Sequence, residues 1–126
     1  MHSERLKGHL DLLLMSVLSG GPGHGYEVII RLRDRSEGAF ELPEGTVYPA
    51  LHRLEDAGLL ASAWDVVSGR RRRIYQLTTA GEAALAEQSV QWREFSGSVA
   101  RVLGTPTAAR PPTARPWQAV LRGVTA

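Results

Sequence analysis

The segment EGTVYPALHRLEDAGLL, residues 44–60, has a helical apolar period with a proline inside it. At about 100° per residue, Val47, Leu51, Leu54 and Gly58 fall on one side. Gly45, Pro49, His52 and Asp56 lie opposite, Tyr48 and Arg53 flank that outward side, and Thr46 lies beside Arg53. A proline in a helix interior loses a hydrogen bond and presses on the carbonyl four residues back, at about 3 kcal/mol. If the helix starts at Pro43 or Glu44, Pro49 is interior and its clash falls on Gly45. If Thr46 is the cap, Pro49 sits in the first turn, where donors lack partners anyway. The earlier start is expected. Gly58 stands where a left-handed cap would end the helix. No acid occurs between Glu44 and Glu55. The middle of the outward side is thus either a surface suited to a DNA groove or a plain solvated face.

Downstream, residues 59–67 (LLASAWDVV) and 71–78 (RRRIYQLT) read as two strands joined by Ser68-Gly69-Arg70. Upstream, a first helix is expected from Ser3 or Glu4 to Leu18, with Leu6, Leu10, Leu13, Leu14, Val17 and Leu18 at helical spacing. Leu12 and Met15 lie off that stripe, so the helix is either central or faces a second subunit. Residues 19–25 (SGGPGHG) read as a turn. A second helix follows from Gly25 or Tyr26 to about Ser36, with Tyr26, Ile29, Ile30 and Arg33 in line, and Gly38 ends it. A short extended link, Ala39 to Leu42, leads to the third helix.

Thr78 or Thr79 starts a long fourth helix, and Thr79 has Glu82 at capping-box spacing. It runs to about Leu103 and carries a heptad seam: Leu85, Trp92 and Val99 in one row, Phe95 and Val102 in the other, with Gln88 the polar exception. Such a seam expects a partner helix, most economically from a second copy of the chain. The order of elements defines a mainly α (α+β) fold, a winged helix-turn-helix with a long C-terminal dimerisation helix. The expected divisions are 1–78 for the winged domain, with the hairpin at about 59–78, 79–104 for the dimerisation helix, and 105–126 for a tail. TPTAARPPTARP, residues 105–116, has four prolines and no long aliphatic side chain. The tail is read as loose, with a transient helical turn around Trp117, Val120 and Leu121 as the alternative.

Net charge is +2, yet it is unevenly spread. Residues 1–66 carry −4, residues 67–78 carry +4, residues 79–104 carry −1 and residues 105–126 carry +3. The concentrated patch is Arg70, Arg71, Arg72 and Arg73. In a strand, Arg71 and Arg73 face one side and Arg70 and Arg72 the other. The run is either a solubilising stretch, a targeting signal, a dock for an acidic protein, or a grip on phosphates. A hairpin directly after a helix-turn-helix favours phosphates, because a wing lies beside the DNA backbone there.

Other chemistry finds little support. There is no cysteine, and the histidines at 2, 9, 24 and 52 lack metal-ligand spacing. GGPGHG lacks the lysine of a phosphate loop. No nucleophile context occurs, so neither an enzyme nor a cofactor is expected. The apolar stretch of residues 10–18 is too short to span a bilayer and contains Asp11, and no signal-peptide cleavage site follows. A soluble, cytoplasmic protein with no membrane partner is expected.

Three motifs together carry a family likeness: GPGHGYEV at residues 21–28, GTVYPALHRLEDAGLL at 45–60, and GRRRRIYQLTTAGEAAL at 69–85. In order and spacing the sequence resembles the PadR family of bacterial transcriptional regulators over residues 5–103. The resemblance implies a homodimeric repressor on a palindromic double-stranded DNA operator. It puts Gly45, Thr46, Tyr48, Pro49, His52 and Arg53 at the reading positions and Arg70 to Arg73 on the wing. It implies a dimer built from the first and fourth helices, with Leu10, Leu14, Leu85, Trp92, Phe95, Val99 and Val102 at the interface. Tyr75 matches a family tyrosine, with core packing or phosphate contact as its two roles. Trp92 matches an aromatic position on which multidrug-sensing members stack planar ligands. It is either such a platform, for a small planar or phenolic effector, or a seam residue. The chain looks like the short type of the family. The alternative is a winged helix used for protein–protein interaction without specific DNA binding.

Overall fold

The structure, a computed structural model, describes residues 8–104. In chain order the elements are α1 (Leu10–Leu18), β1 (Gly23–His24), α2 (Gly25–Arg35), α3 (Glu44–Asp56), β2 (Leu60–Val67), β3 (Arg70–Leu77) and α4 (Thr79–Leu103). They fall into two compact units, the first ending at Gln91 and the second beginning at Trp92.

The first unit is organised around α1. Leu14 and Met15 are fully buried, with Val17 and Leu18 close behind. They pack with Val28 and Leu32 of α2, Val47, Ala50, Leu51 and Leu54 of α3, and Leu60 and Tyr75 of the hairpin. Burial of the off-stripe Met15 makes α1 a central helix. This corrects the reading of Leu14 as a dimer contact, since Leu14 is 0% exposed and enclosed by its own chain. Leu10 and Leu85 are half-buried and pack against the same core. A helix running unbroken from Ser3 is also corrected. Gly8 has φ +98, outside the right-handed helical basin, and α1 begins only at Leu10. The expected Leu6 and the tail of residues 105–126 lie outside the described residues.

The turn of residues 19–25 hides a strand. Gly23 pairs with Tyr75 and His24 with Ile74, so β1 adds to the hairpin in a three-stranded sheet ordered β1-β3-β2. His24 then caps α2: its Nδ1 accepts from the Glu27 N–H at 3.2 Å, and Glu27 Oε1 accepts from the His24 N–H at 3.0 Å. This is a capping box with histidine in place of serine or threonine. The buried side of α2 is Val28 and Leu32, with Ile29 half-buried, while Tyr26 turns outward at 48% exposure.

α3 starts at Glu44, with Pro43 as its cap residue, so the earlier start holds and Pro49 is interior. At its end the Gly58 N–H bonds to the Glu55 carbonyl at 2.9 Å and the Leu59 N–H to the Leu54 carbonyl at 3.0 Å. With Gly58 at φ +80, this is the left-handed cap that the sequence predicts, in its Schellman form. The hairpin pairs Leu60 with Leu77 through to Val67 with Arg70, leaving only Ser68 and Gly69 in the turn. Both have positive φ, +51 and +78, as a tight type I′ turn requires. Arg70 therefore belongs to β3, and all four arginines are strand residues. Thr78, rather than Thr79, caps α4. Its Oγ1 accepts from the Gly81 N–H at 3.0 Å and donates to the Gly58 carbonyl at 2.7 Å.

Candidate nucleic-acid interface

The outward side of α3 presents Gly45, Pro49 and His52 to solvent, with Thr46 and Tyr48 half-buried beside them. The hairpin register puts Arg71 opposite Val66, Arg73 opposite Trp64 and Tyr75 opposite Ser62. Directly opposed residues share a face, so these six form the side turned to α3. Between helix and hairpin lies an open groove of about 710 Å³. α3 contributes Tyr48, His52, Glu55 and Asp56 to its lining, and the hairpin contributes Trp64, Tyr75 and Arg71 to Arg73.

The two groove tyrosines have different roles. Tyr48 lies over the start of α2, and a Cβ added at Gly25 would fall 1.9 Å from its Cε1. Burial, then the Glu44 carboxylate, push its hydroxyl above the ordinary phenol value of 10.0, with Arg72 pulling the other way. The group therefore remains a neutral donor at the groove wall. Tyr75 is only 3% exposed and belongs to the core, which favours packing over phosphate contact. Burial, then Glu55, raise its hydroxyl too, against the pull of Arg73. Its ring lies 6.5 Å from that of His52.

The arginines separate by partner. Arg53 is ion-paired with Asp11 of α1. Arg73 Nε donates to Ser62 Oγ at 2.7 Å, and Arg73 Nη2 lies 3.5 Å from Glu55 Oε2. Arg71 lies with its guanidinium 4.7 Å from the centre of the Trp64 ring, a cation–π distance. Among the described residues, Arg70, Arg71 and Arg72 make no ion pair with a carboxylate. The exposed positive charge is thus at the wing's tip and middle. Strand register could have pointed to Trp64, since alternation puts it on the side of Arg71 and Arg73. The roles of Gly25, Glu55 and Ser62 depend on elements distant in the chain.

In the second unit, the residues expected at the seam are on the surface. Phe95 is 61% and Val102 86% exposed, with Trp92 and Val99 also exposed. The rings of Trp92 and Phe95 lie 6.3 Å apart and tilted. Among the described residues no group of three His, Cys, Asp or Glu could hold a metal ion. No helix among them is long and apolar enough to cross a membrane.

Three helices, a winged hairpin and an arginine-edged groove define the winged helix-turn-helix class of DNA-binding proteins. Residues 14–87 match the Transcriptional regulator PadR-like family. The chain belongs to that family, whose members are transcriptional regulators and not enzymes. It is 45% identical over 67 residues to the transcriptional regulator Rv3488 of Mycobacterium tuberculosis, covering 53% of this chain and 63% of that protein. Its fold is similar to a PadR family transcription regulator from Clostridium difficile, with TM-score 0.67 and 33% identity over 75% of this chain and 98% of that one. It is also similar to a PadR-like transcriptional regulator from Bacillus cereus, with TM-score 0.71 and 27% identity over 82% and 99% of the two chains.

Proposed function

We propose that this regulator is a homodimeric repressor that reads a palindromic operator with α3 and grips the backbone with the wing. One observation carries the reading: Tyr48 and His52 of α3 and Arg71 to Arg73 of β3 line a single open groove. Gly45, Thr46, Tyr48, Pro49 and His52 meet base edges, and Arg70, Arg71 and Arg72 meet phosphates. Pro49 offers a rigid apolar surface suited to a thymine methyl. The exposed row of Trp92, Phe95, Val99 and Val102 pairs with the same row of a second copy. On this reading a small planar or phenolic effector stacks on Trp92 and releases the DNA.

The test is a salt series. Genomic fragments bound by the full-length protein are selected, and affinity is measured by fluorescence anisotropy. The log–log slope is expected at about −0.9 per phosphate neutralised. A flat response, or no enriched fragment, would instead favour a winged helix that binds an acidic protein through Arg70 to Arg73.

A further inference from the structure

Glu55, Ser62 and Arg73 come from three different elements and meet at one point. Ser62 Oγ donates to Glu55 Oε2 at 2.6 Å and accepts from Arg73 Nε at 2.7 Å. Arg73 Nη2 lies 3.5 Å from the same Glu55 oxygen. The Arg73 guanidinium also lies 5.4 Å from the centre of the Trp64 ring. All three polar side chains are partly buried. Ser62 stands opposite Tyr75, and Arg73 stands opposite Trp64. The guanidinium thus reaches diagonally across the hairpin to the serine, and the serine hands the contact on to the last turn of α3. Charge-assisted hydrogen bonds of this kind are short and directional. They hold a spacing as well as contributing energy.

We infer that Arg73 is a positioning residue and not a phosphate contact: with Ser62 and Glu55 it forms a clasp that fixes the separation of the reading helix and the wing. The inference rests on the reading of α3 and the wing as the DNA interface. It divides the four arginines, leaving Arg70, Arg71 and Arg72 for phosphates and giving Arg73 to the protein. Glu55, an acid in the groove lining, is neutralised by the same contact and does not repel DNA. A wing held at one distance fits a groove and a backbone strand together. A wing free to swing keeps its charge but loses that fit. The clasp therefore serves specific binding more than non-specific binding.

The experiment uses full-length protein, a duplex it selects from a random-sequence pool, and a scrambled duplex of equal length. Affinity for both is measured across a salt series. Ser62→Ala changes no charge. It is expected to lower affinity for the selected duplex by about tenfold. Affinity for the scrambled duplex and the salt slope stay as in the wild type. Arg73→Gln is expected to lower selected-duplex affinity similarly with its slope unchanged, whereas Arg71→Gln makes the slope shallower by about 0.9 for each phosphate it no longer neutralises. The double variant Ser62→Ala with Arg73→Gln is expected to be no worse than the more affected single variant, because both break one clasp. Glu55→Gln frees Arg73 and is expected to steepen the slope, and it decides the matter should Arg73→Gln fail to fold by circular dichroism. The clasp is overturned if Arg73→Gln flattens the slope as Arg71→Gln does, if Ser62→Ala leaves selected-duplex affinity unchanged, or if Glu55→Gln leaves the slope as it was. If no duplex is enriched, or if Arg71→Gln also leaves the slope untouched, the DNA-interface reading fails and the clasp falls with it.

Discussion

The ring of Tyr48 occupies the space that a side chain at residue 25 would need. A Cβ on Gly25 would lie 1.9 Å from Tyr48 Cε1 and 2.7 Å from Cδ1. The first residue of α2 and the second turn of α3 are therefore in direct contact, and this contact orients a groove tyrosine. Gly25→Ala is expected to destabilise the fold by about 1–3 kcal/mol through overpacking, read by urea unfolding. Tyr48→Ala added to it should restore most of that stability, because the ring that causes the clash is then absent. Additive destabilisation would show that Gly25 matters for another reason.

Leu14 and Trp92 should separate folding from assembly. Leu14→Ala opens a cavity in the core of the first unit and is expected to cost about 2–5 kcal/mol. Trp92→Glu is expected to leave the unfolding free energy of the monomer nearly unchanged while yielding monomers at micromolar concentration by analytical ultracentrifugation. An intact Trp92→Glu dimer would place the interface elsewhere.

The ion pair between Arg53 and Asp11 lies largely at the surface. Exposed pairs contribute about 0–1 kcal/mol. Arg53→Ala should therefore change thermal stability little. Its effect on DNA binding is the informative measurement. A drop in salt slope would mean that Arg53 leaves Asp11 for a phosphate, and an unchanged slope would keep it with α1.

Tyr48 and Tyr75 give a pH signature. Both hydroxyls titrate above the ordinary phenol value of 10.0 in the folded chain, chiefly because burial disfavours the phenolate. The folded state then holds its protons more tightly than the unfolded state. That contribution is fully present below the unfolded value and is lost as pH rises through the folded one. Stability should be flat in this respect at neutral pH and fall above about pH 10. Tyr75→Phe should flatten that fall in urea titrations between pH 8 and 11, and an unchanged profile would remove Tyr75 as its source.

Much of the architecture can be read from local signals. The apolar period of α3, the cap at Gly58, the glycine-bearing hairpin tip around Gly69, and the heptad of α4 are all short-range patterns. Backbone conformation and one-sided burial leave such marks directly on neighbouring residues. These patterns also bring out the four arginines of the wing, and with the family motifs they mark out the candidate groove.

What the one-dimensional pattern could not settle depends on contacts between residues far apart in the chain. A two-residue strand such as Gly23-His24 has no period, and it exists only because β3 offers a free edge. His24 carries no local signal of its role, yet once Gly23 and His24 are held by β3 it caps α2. Leu14 has the same chemistry as a seam leucine, and only the enclosure of α1 by α2 and α3 makes it core. Arg73 is one of four consecutive arginines in the sequence. Glu55 and Ser62 distinguish it, because hydrogen bonds depend on distance and angle, and those are fixed only when the helix, the strand and the hairpin have packed together.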